Sequence, residues 1–182
     1  RFTVGILNAP NSRGGSAFVH EKVSVGSTIR IRGPRNHFPL VASPRYVFIA
    51  GGIGITPMIP MIAEAEAAGA DWTLLYGGRS EASMAYIDVL RAYGERVTLL
   101  PGNDVALMSA ALDDLFVTPP AATEIYTCGP EGLLGAVEAR CATWPSGSLH
   151  LERFAAKATE GAVDSEFQVV LARTGITITV PD

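Results

Sequence analysis

Residues 48–57 read FIAGGIGITP, an apolar run that breaks into three glycines and stops at a proline. Each glycine costs conformational entropy on folding, so three within four residues need a reason. Two readings are open: a loop whose backbone is approached closely, or a tight turn between packed elements. The flanks narrow the choice. YVFIA, ahead of the glycines, is a short continuous apolar run of the kind a doubly buried strand shows. PMIPMIAEAEAAGA, behind them, reads as a helix closed by Gly69. Gly51, Gly52 and Gly54 therefore join a strand to a helix, with Thr56 expected as the N-cap and Pro57 at the first helical position. Free N–H groups at a helix N-terminus attract anions, and glycine lets a pyrophosphate come close. The loop is not G-x-G-x-x-G, because Pro57 replaces the third glycine, and it is not a P-loop, because the Lys-Ser/Thr pair is missing.

Working outward, the same strand–helix rhythm runs from Arg45 to Leu151. WTLLY is a second strand, SMAYIDVLRAYG a second helix and RVTLL a third strand. A weaker helical patch at SAALDDLF follows, then the strand EIYT, the helix EGLLGAVEARCATW and the strand SLHLERF. Such alternation predicts an α/β fold with a five-stranded parallel, doubly wound sheet over residues 45–154. Residues 1–44 differ: short alternating runs, FTVGIL and TIRIRG, read as β-strands of a sheet or barrel, and NSRGGSAFVHEKV as a loop entering a short helix. Residues 155–164 are small and polar, a predicted linker, and in 165–182 FQVVLA-RTG-ITITV reads as a β-hairpin opening a further domain. Arg1 is not an initiator methionine and Pro181-Asp182 ends in mid-pattern, so the 182 residues read as part of a longer protein.

Composition excludes several classes. No apolar stretch reaches membrane-spanning length and no charged-then-apolar leader opens the chain, so a cytoplasmic protein without a membrane partner is expected. Seven of the 14 Lys and Arg fall in residues 1–45 against the single acid Glu21, while the other 17 acids follow. A basic start on an acidic body suits a phosphate, an acidic protein or plain solvated surface; without interleaved aromatics it does not suit nucleic acid. Two cysteines, Cys128 and Cys141, make no disulfide framework, no zinc spacing and, alone, no four-thiolate iron–sulfur site. His20, His37 and His150 form no ligand pattern, so no metal site is expected. No nucleophile elbow is present.

Three further stretches carry chemistry. YGGRS, residues 76–80, ends the second strand; Arg79 and Ser80 meet an adenosine ribose or a 2′-phosphate there, or else Ser80 caps the next helix. YTCGPEGLL, residues 126–134, puts Cys128, Gly129 and Pro130 at the carboxyl end of a central strand, where open α/β sheets bind ligands. SRGGSAFVH, residues 12–20, is a second Gly/Ser nest: Gly14, Gly15 and Ser16 cradle a phosphate or form an ordinary loop. Two separate nests suit an enzyme that handles two nucleotide cofactors.

GGIGITP, CGP and SRGGS, taken together, resemble the ferredoxin–NADP⁺ reductase superfamily, and within it the phthalate dioxygenase reductase and vanillate demethylase reductase group. The resemblance spans most of the chain. It implies the end of an FMN-binding β-barrel at 1–44, an NAD-binding α/β domain at 45–154 and the start of a [2Fe–2S] ferredoxin domain at 165–182. It places Gly14, Gly15 and Ser16 at the flavin phosphate. Gly51, Gly52, Gly54, Thr56 and Pro57 go to the dinucleotide pyrophosphate, and Arg79 and Ser80 to the adenosine ribose. It makes Cys128 the expected catalytic residue, which with Gly129 and Pro130 shapes the nicotinamide pocket, and Phe154 matches the aromatic beside the flavin ring. The implied function is a reductase passing hydride from NADH, or NADPH, to FMN. Single electrons would then reach a [2Fe–2S] cluster and an aromatic-ring (Rieske-type) oxygenase component or its ferredoxin. The family's Arg-x-Tyr-Ser flavin segment and its cluster cysteines are absent from these residues, so the 182-residue chain by itself is expected to hold FMN poorly, to hold no cluster and to be inactive. Other flavin-dependent reductases of the superfamily and a non-catalytic dinucleotide-binding module stand as rivals.

Overall fold

A computed structural model of the chain describes residues 3–33, 35–117, 122–154, 166–171, 173 and 175–180. Its centre is a five-stranded parallel sheet in the order β3-β2-β1-β4-β5. The strands are β1 Arg45–Gly51, β2 Asp71–Gly78, β3 Val97–Pro101, β4 Thr123–Cys128 and β5 Leu149–Glu152. Between them run α2 Ile55–Ala68, α3 Ile87–Arg91, α4 Val105–Phe116 and α5 Glu131–Arg140, while α1 Gly15–Lys22 precedes the sheet. The expected doubly wound sheet is therefore observed.

Strand periodicity explains the two layers. Side chains alternate across a strand, and β1 sends Tyr46, Phe48 and Ala50 to one face and Val47 and Ile49 to the other. The first face packs against Met58 and Ile62 of α2 and Ile87 and Leu90 of α3. The second packs against Leu112 of α4 and Val137 of α5. Phe48, Ile49, Trp72, Leu74 and Ile125 are each at most 1% exposed, so β1, β2 and β4 are covered on both sides. α2 ends as expected at Gly69, whose φ of 68° is a left-handed C-cap conformation.

Four local expectations need correction. FTVGIL and TIRIRG form no strand among the described residues. A strand exists only by bonding a neighbour, and among the described residues no second segment ladders with these. SMAYIDVLRAYG is not one helix: a 3-10 turn at Glu81–Ser83 and the short α3 are separated by Met84 in extended backbone and Tyr86 at φ 63°. The patch at SAALDDLF is longer than expected, because Asp104 accepts from the amides of Ala106 and Leu107 at 2.9 and 3.0 Å and starts α4 at Val105. The last strand stops at Glu152, so Phe154 lies beyond it. The C-terminal hairpin is observed as β6 Phe167–Leu171 paired antiparallel with β7 Ile176–Val180. The expected linker at 155–164 lies outside the described residues.

Two buried tyrosines tie the entering chain to the sheet. The Tyr126 hydroxyl accepts from the Val41 amide at 2.7 Å and donates to the Pro39 carbonyl at 3.1 Å. The Tyr46 hydroxyl accepts from the Ser43 amide at 2.8 Å and donates to the Val41 carbonyl at 2.9 Å. Residues 39–43 are thereby held where a strap of loop would otherwise be free. Tyr126→Phe leaves both backbone groups without their partner and should lower unfolding stability by about 1–3 kcal/mol. The check is the urea midpoint of the purified chain, with the slope of the transition unchanged.

Candidate functional site

Strand order reverses between β1 and β4, and at such a switch point the carboxyl ends of neighbouring strands diverge into a crevice. The register brings Ala50 opposite Cys128 and Gly51 opposite Gly77, so the glycine turn, the Cys128 strand end and the loop after β2 share one edge of the sheet.

The glycines divide into two roles. A β-carbon on Gly54 would stand 2.1 Å from the Cys128 carbonyl oxygen, and one on Gly51 would stand 2.6 Å from Pro130 Cδ. One on Gly129 would lie 2.9 Å from the Gly51 nitrogen. These three glycines let the end of β1 and the end of β4 touch backbone to backbone. Gly52 is different. Its φ is 54°, and a β-carbon there would meet nothing within 4 Å. The open side of the turn is therefore at Gly52.

The turn also departs from its expected capping. Gly52–Gly54 form a 3-10 turn that runs directly into α2 at Ile55. Thr56 is inside the helix and its hydroxyl donates to the Ile53 carbonyl at 2.9 Å, so it is not the N-cap, and Pro57 is the third helical residue. The physical reason is that two consecutive glycines at the strand end allow immediate coiling, so the helix starts before Thr56. Pro57 still falls within the first turn, where a missing N–H costs no intrahelical bond. Gly5 of the entering segment packs against Thr56, its added β-carbon falling 2.7 Å from Thr56 Cγ2.

Pro57 of α2 borders one cavity, and the stretch after β2 borders another. The first, of about 300 Å³, lies between Asn36, Phe38, Pro57, Met61 and Glu64, with Glu152 of β5 on its wall. The second, of about 560 Å³, lies past β2 between Glu81, Met84, Tyr86 and Arg91. Arg79 is exposed and pairs with no carboxylate among the described residues. Ser80 is committed to a capping box with Ser83, bonding its hydroxyl at 3.1 Å, which is the capping alternative for that residue.

Cys128 is fully buried in the core beside β1. Burial, aided by the Glu152 carboxylate, pushes its thiol up to about 12, so it is a neutral packing group at neutral pH. Pro130 is the N-cap of α5 rather than its first residue, with extended backbone at ψ 148°. Phe154 is 57% exposed past the end of β5. Gly14, Gly15 and Ser16 lie at the start of α1, away from neighbours at both glycines. Ser12 caps that end: its hydroxyl oxygen accepts from the Gly14 amide at 3.1 Å, the Ala17 amide at 3.3 Å and the Ser16 hydroxyl at 2.9 Å. The first-turn amides of Gly15 and Ser16 keep no intrahelical acceptor.

Sequence reasoning passed over Ser12 and Tyr76. The Tyr76 hydroxyl donates to the Gly52 carbonyl and accepts from the Ala85 amide, both at 3.1 Å. The signal was present: a tyrosine in a doubly buried strand must find a partner for its hydroxyl.

A profile of the oxidoreductase NAD-binding domain family matches residues 48–139. The phenoxybenzoate dioxygenase subunit beta of Ectopseudomonas oleovorans is 44% identical over 184 residues, covering 99% of this chain and 56% of that protein. The solved phthalate dioxygenase reductase superposes with a TM-score of 0.78 at 30% identity, over 97% of this chain and 56% of that one. An intact type IV self-sufficient cytochrome P450 monooxygenase superposes with a TM-score of 0.84 at 45% identity, over 97% of this chain and 23% of that one. The chain thus spans little more than half the length of the curated relatives it matches.

Two outcomes test this geometry. Gly54→Ala should destabilise the chain by roughly 3 kcal/mol through overpacking against the Cys128 backbone, whereas Gly52→Ala should cost about 1 kcal/mol, from the left-handed backbone alone; chemical denaturation of both variants separates them. Because the folded Cys128 thiol holds its proton above the unfolded value, its contribution is whole below pH of about 8.5. It is lost as pH rises toward about 12. Cys128→Ala should flatten that alkaline fall in a pH series of unfolding midpoints.

Proposed function

The chain belongs to the oxidoreductase NAD-binding domain family, in the phthalate dioxygenase reductase and vanillate demethylase reductase group of the ferredoxin–NADP⁺ reductase superfamily, and from that membership we propose that it is the central part of an NADH-dependent reductase serving an oxygenase. In this reading hydride passes from NADH to FMN, and single electrons then pass to a [2Fe–2S] cluster and onward to the oxygenase component. Residues 1–44 belong to the flavin-binding domain, 45–154 bind the dinucleotide, and 165–182 begin the ferredoxin domain.

The observation that carries the reading is the open Gly52 turn set against the Cys128–Pro130 strand end at the switch point of the sheet. A pyrophosphate fits there: the turn is unobstructed at Gly52, and α2, with 14 residues, adds its positive end. Arg79, which pairs with no carboxylate among the described residues, offers a cation on the loop beside β2, and the cavity walled by Glu81, Met84 and Tyr86 gives room for a ribose and base. On the other side, the cavity bounded by Pro57 and Glu152 gives room for a planar ring. Gly15 and Ser16 at the start of α1 offer amides to a flavin phosphate.

When bound, the nicotinamide, flavin and cluster supply the hydride and electron chemistry. The residues of this chain bind and align. The touching glycines keep the two strand ends at fixed separation, Pro130 and Leu133 close the floor beneath them, and Phe154 offers an aromatic face at the end of β5. Alignment of this kind contributes through orientation rather than proton transfer. Among the described residues no helix is long and apolar enough to cross a membrane.

The test uses the full-length protein with its flavin. Mixing with NADH in a stopped-flow spectrometer should bleach the flavin absorbance, followed by slower changes of the cluster. Binding of NADH without bleaching would identify a dinucleotide sensor instead. The likeness to the self-sufficient monooxygenase favours a haem oxygenase as the second electron acceptor to try in reconstitution.

A further inference from the structure

We propose that Tyr76 is a positioning residue that couples the two halves of the dinucleotide site through its single hydroxyl. The inference rests on the dinucleotide reading above and assigns a part of the machinery to a side chain that no ligand touches.

Tyr76 is fully buried in β2 beneath the turn. Its hydroxyl donates to the Gly52 carbonyl, which also accepts from the Ile55 amide, so both lone pairs of that oxygen are used. A trans peptide is planar, with its carbonyl and the next N–H pointing in opposite directions. Pinning the Gly52 carbonyl toward the buried tyrosine therefore aims the Ile53 N–H the other way, off the open side of the turn. Without that anchor, Gly52 has the conformational freedom to rotate the peptide and lose the aim.

The Tyr76 hydroxyl oxygen also accepts from the Ala85 amide. Ala85 sits between Met84 and Tyr86, which both line the cavity beyond Arg79 and Ser80. It is also where the chain passes from extended backbone at Met84 to the left-handed conformation of Tyr86. One buried hydroxyl thus fixes the turn that faces the pyrophosphate and the loop that faces the adenosine side. A shift in either displaces the bond that holds the other.

The experiment is a double-mutant cycle on the full-length, flavin-loaded protein, with the Kd for NAD⁺ read by calorimetry. Tyr76→Phe should raise that Kd about tenfold, the loss expected when a buried hydroxyl leaves two backbone groups unpaired. Arg79→Ala should weaken binding in the wild type, and its penalty should shrink by about threefold or more in the Tyr76→Phe background. Flavin reduction at saturating NADH should stay within about twofold while KM rises, since lost positioning of the dinucleotide falls on binding; a general loss of folded protein would lower the rate instead. Ala85→Pro removes the amide donor without touching Tyr76, and extended Met84 (φ −87°, ψ 121°) already has the conformation that a residue before proline needs. That variant should reproduce the loss of affinity in part, and it decides the matter if Tyr76→Phe does not fold. An unchanged Kd in Tyr76→Phe, or penalties that simply multiply, overturns the coupling while leaving the dinucleotide site in place. No NAD⁺ binding by the wild type overturns both.

Discussion

The carbonyl oxygen of Cys128 occupies the space that a side chain on Gly54 would need. From that contact the rest of the edge follows. At Gly51, Gly54 and Gly129 a β-carbon would collide with the facing chain, so the three act as one unit spread over the ends of β1 and β4 and 79 positions of sequence. The unit sets how closely β1 and β4 end, which sets where α2 begins and where Pro130 caps α5. Interiors are close-packed and resist small displacements, so a crevice built this way has a fixed width. A ligand aligned across it meets a preformed shape rather than one it must pay to assemble.

Three buried tyrosines extend that rigidity outward, each through a hydroxyl that binds backbone on both sides. Tyr46 and Tyr126 hold the strap at 39–43, and Tyr76 holds the Gly52 turn and the loop at Ala85. The device is economical in physical terms. A tyrosine ring adds a large apolar area to the core, and its one polar atom satisfies loop groups that no ladder reaches. Tyr126 is further stacked on His150 at 4.5 Å, and His150 bonds Glu124 at 2.7 Å, so the strap, β4 and β5 are linked laterally.

What the sequence revealed follows from how local each signal is. The alternation of buried strands with helices is a run of adjacent residues, and the whole sheet from Arg45 to Glu152 was legible from it. Gly69 was legible as a C-cap for the same reason. The break of the expected second helix was not, because it depends on the Ala85 amide meeting a tyrosine nine residues earlier and on Tyr86 adopting a left-handed backbone. FTVGIL and TIRIRG alternate as strands do, yet alternation states only which face a residue takes; pairing requires a neighbour. The glycine loop was legible as the joint between β1 and α2, but the different surroundings of its glycines were not. Sequence offers no means to tell that Gly51 and Gly54 accommodate Cys128, Gly129 and Pro130, leaving Gly52 as the open position, because that requires knowing which strand lies alongside.

The same packing decides what kind of chemistry this edge can perform. Burial raises the Cys128 thiol to about 12 and raises the Tyr76 and Tyr126 hydroxyls above their usual value, so none of the three ionises near neutral pH. A general base or nucleophile needs a group poised near the working pH, and the strand ends at the switch point hold these groups far from it. Fixed geometry and inert side chains are what a reaction between two bound cofactors requires: the rings must be brought to contact distance, and no nearby thiolate should divert a reactive intermediate. The sheet edge meets both conditions: Gly54 packs on the Cys128 carbonyl and Gly51 on Pro130, while the core that Cys128 shares with Phe48 and Tyr126 buries its thiol.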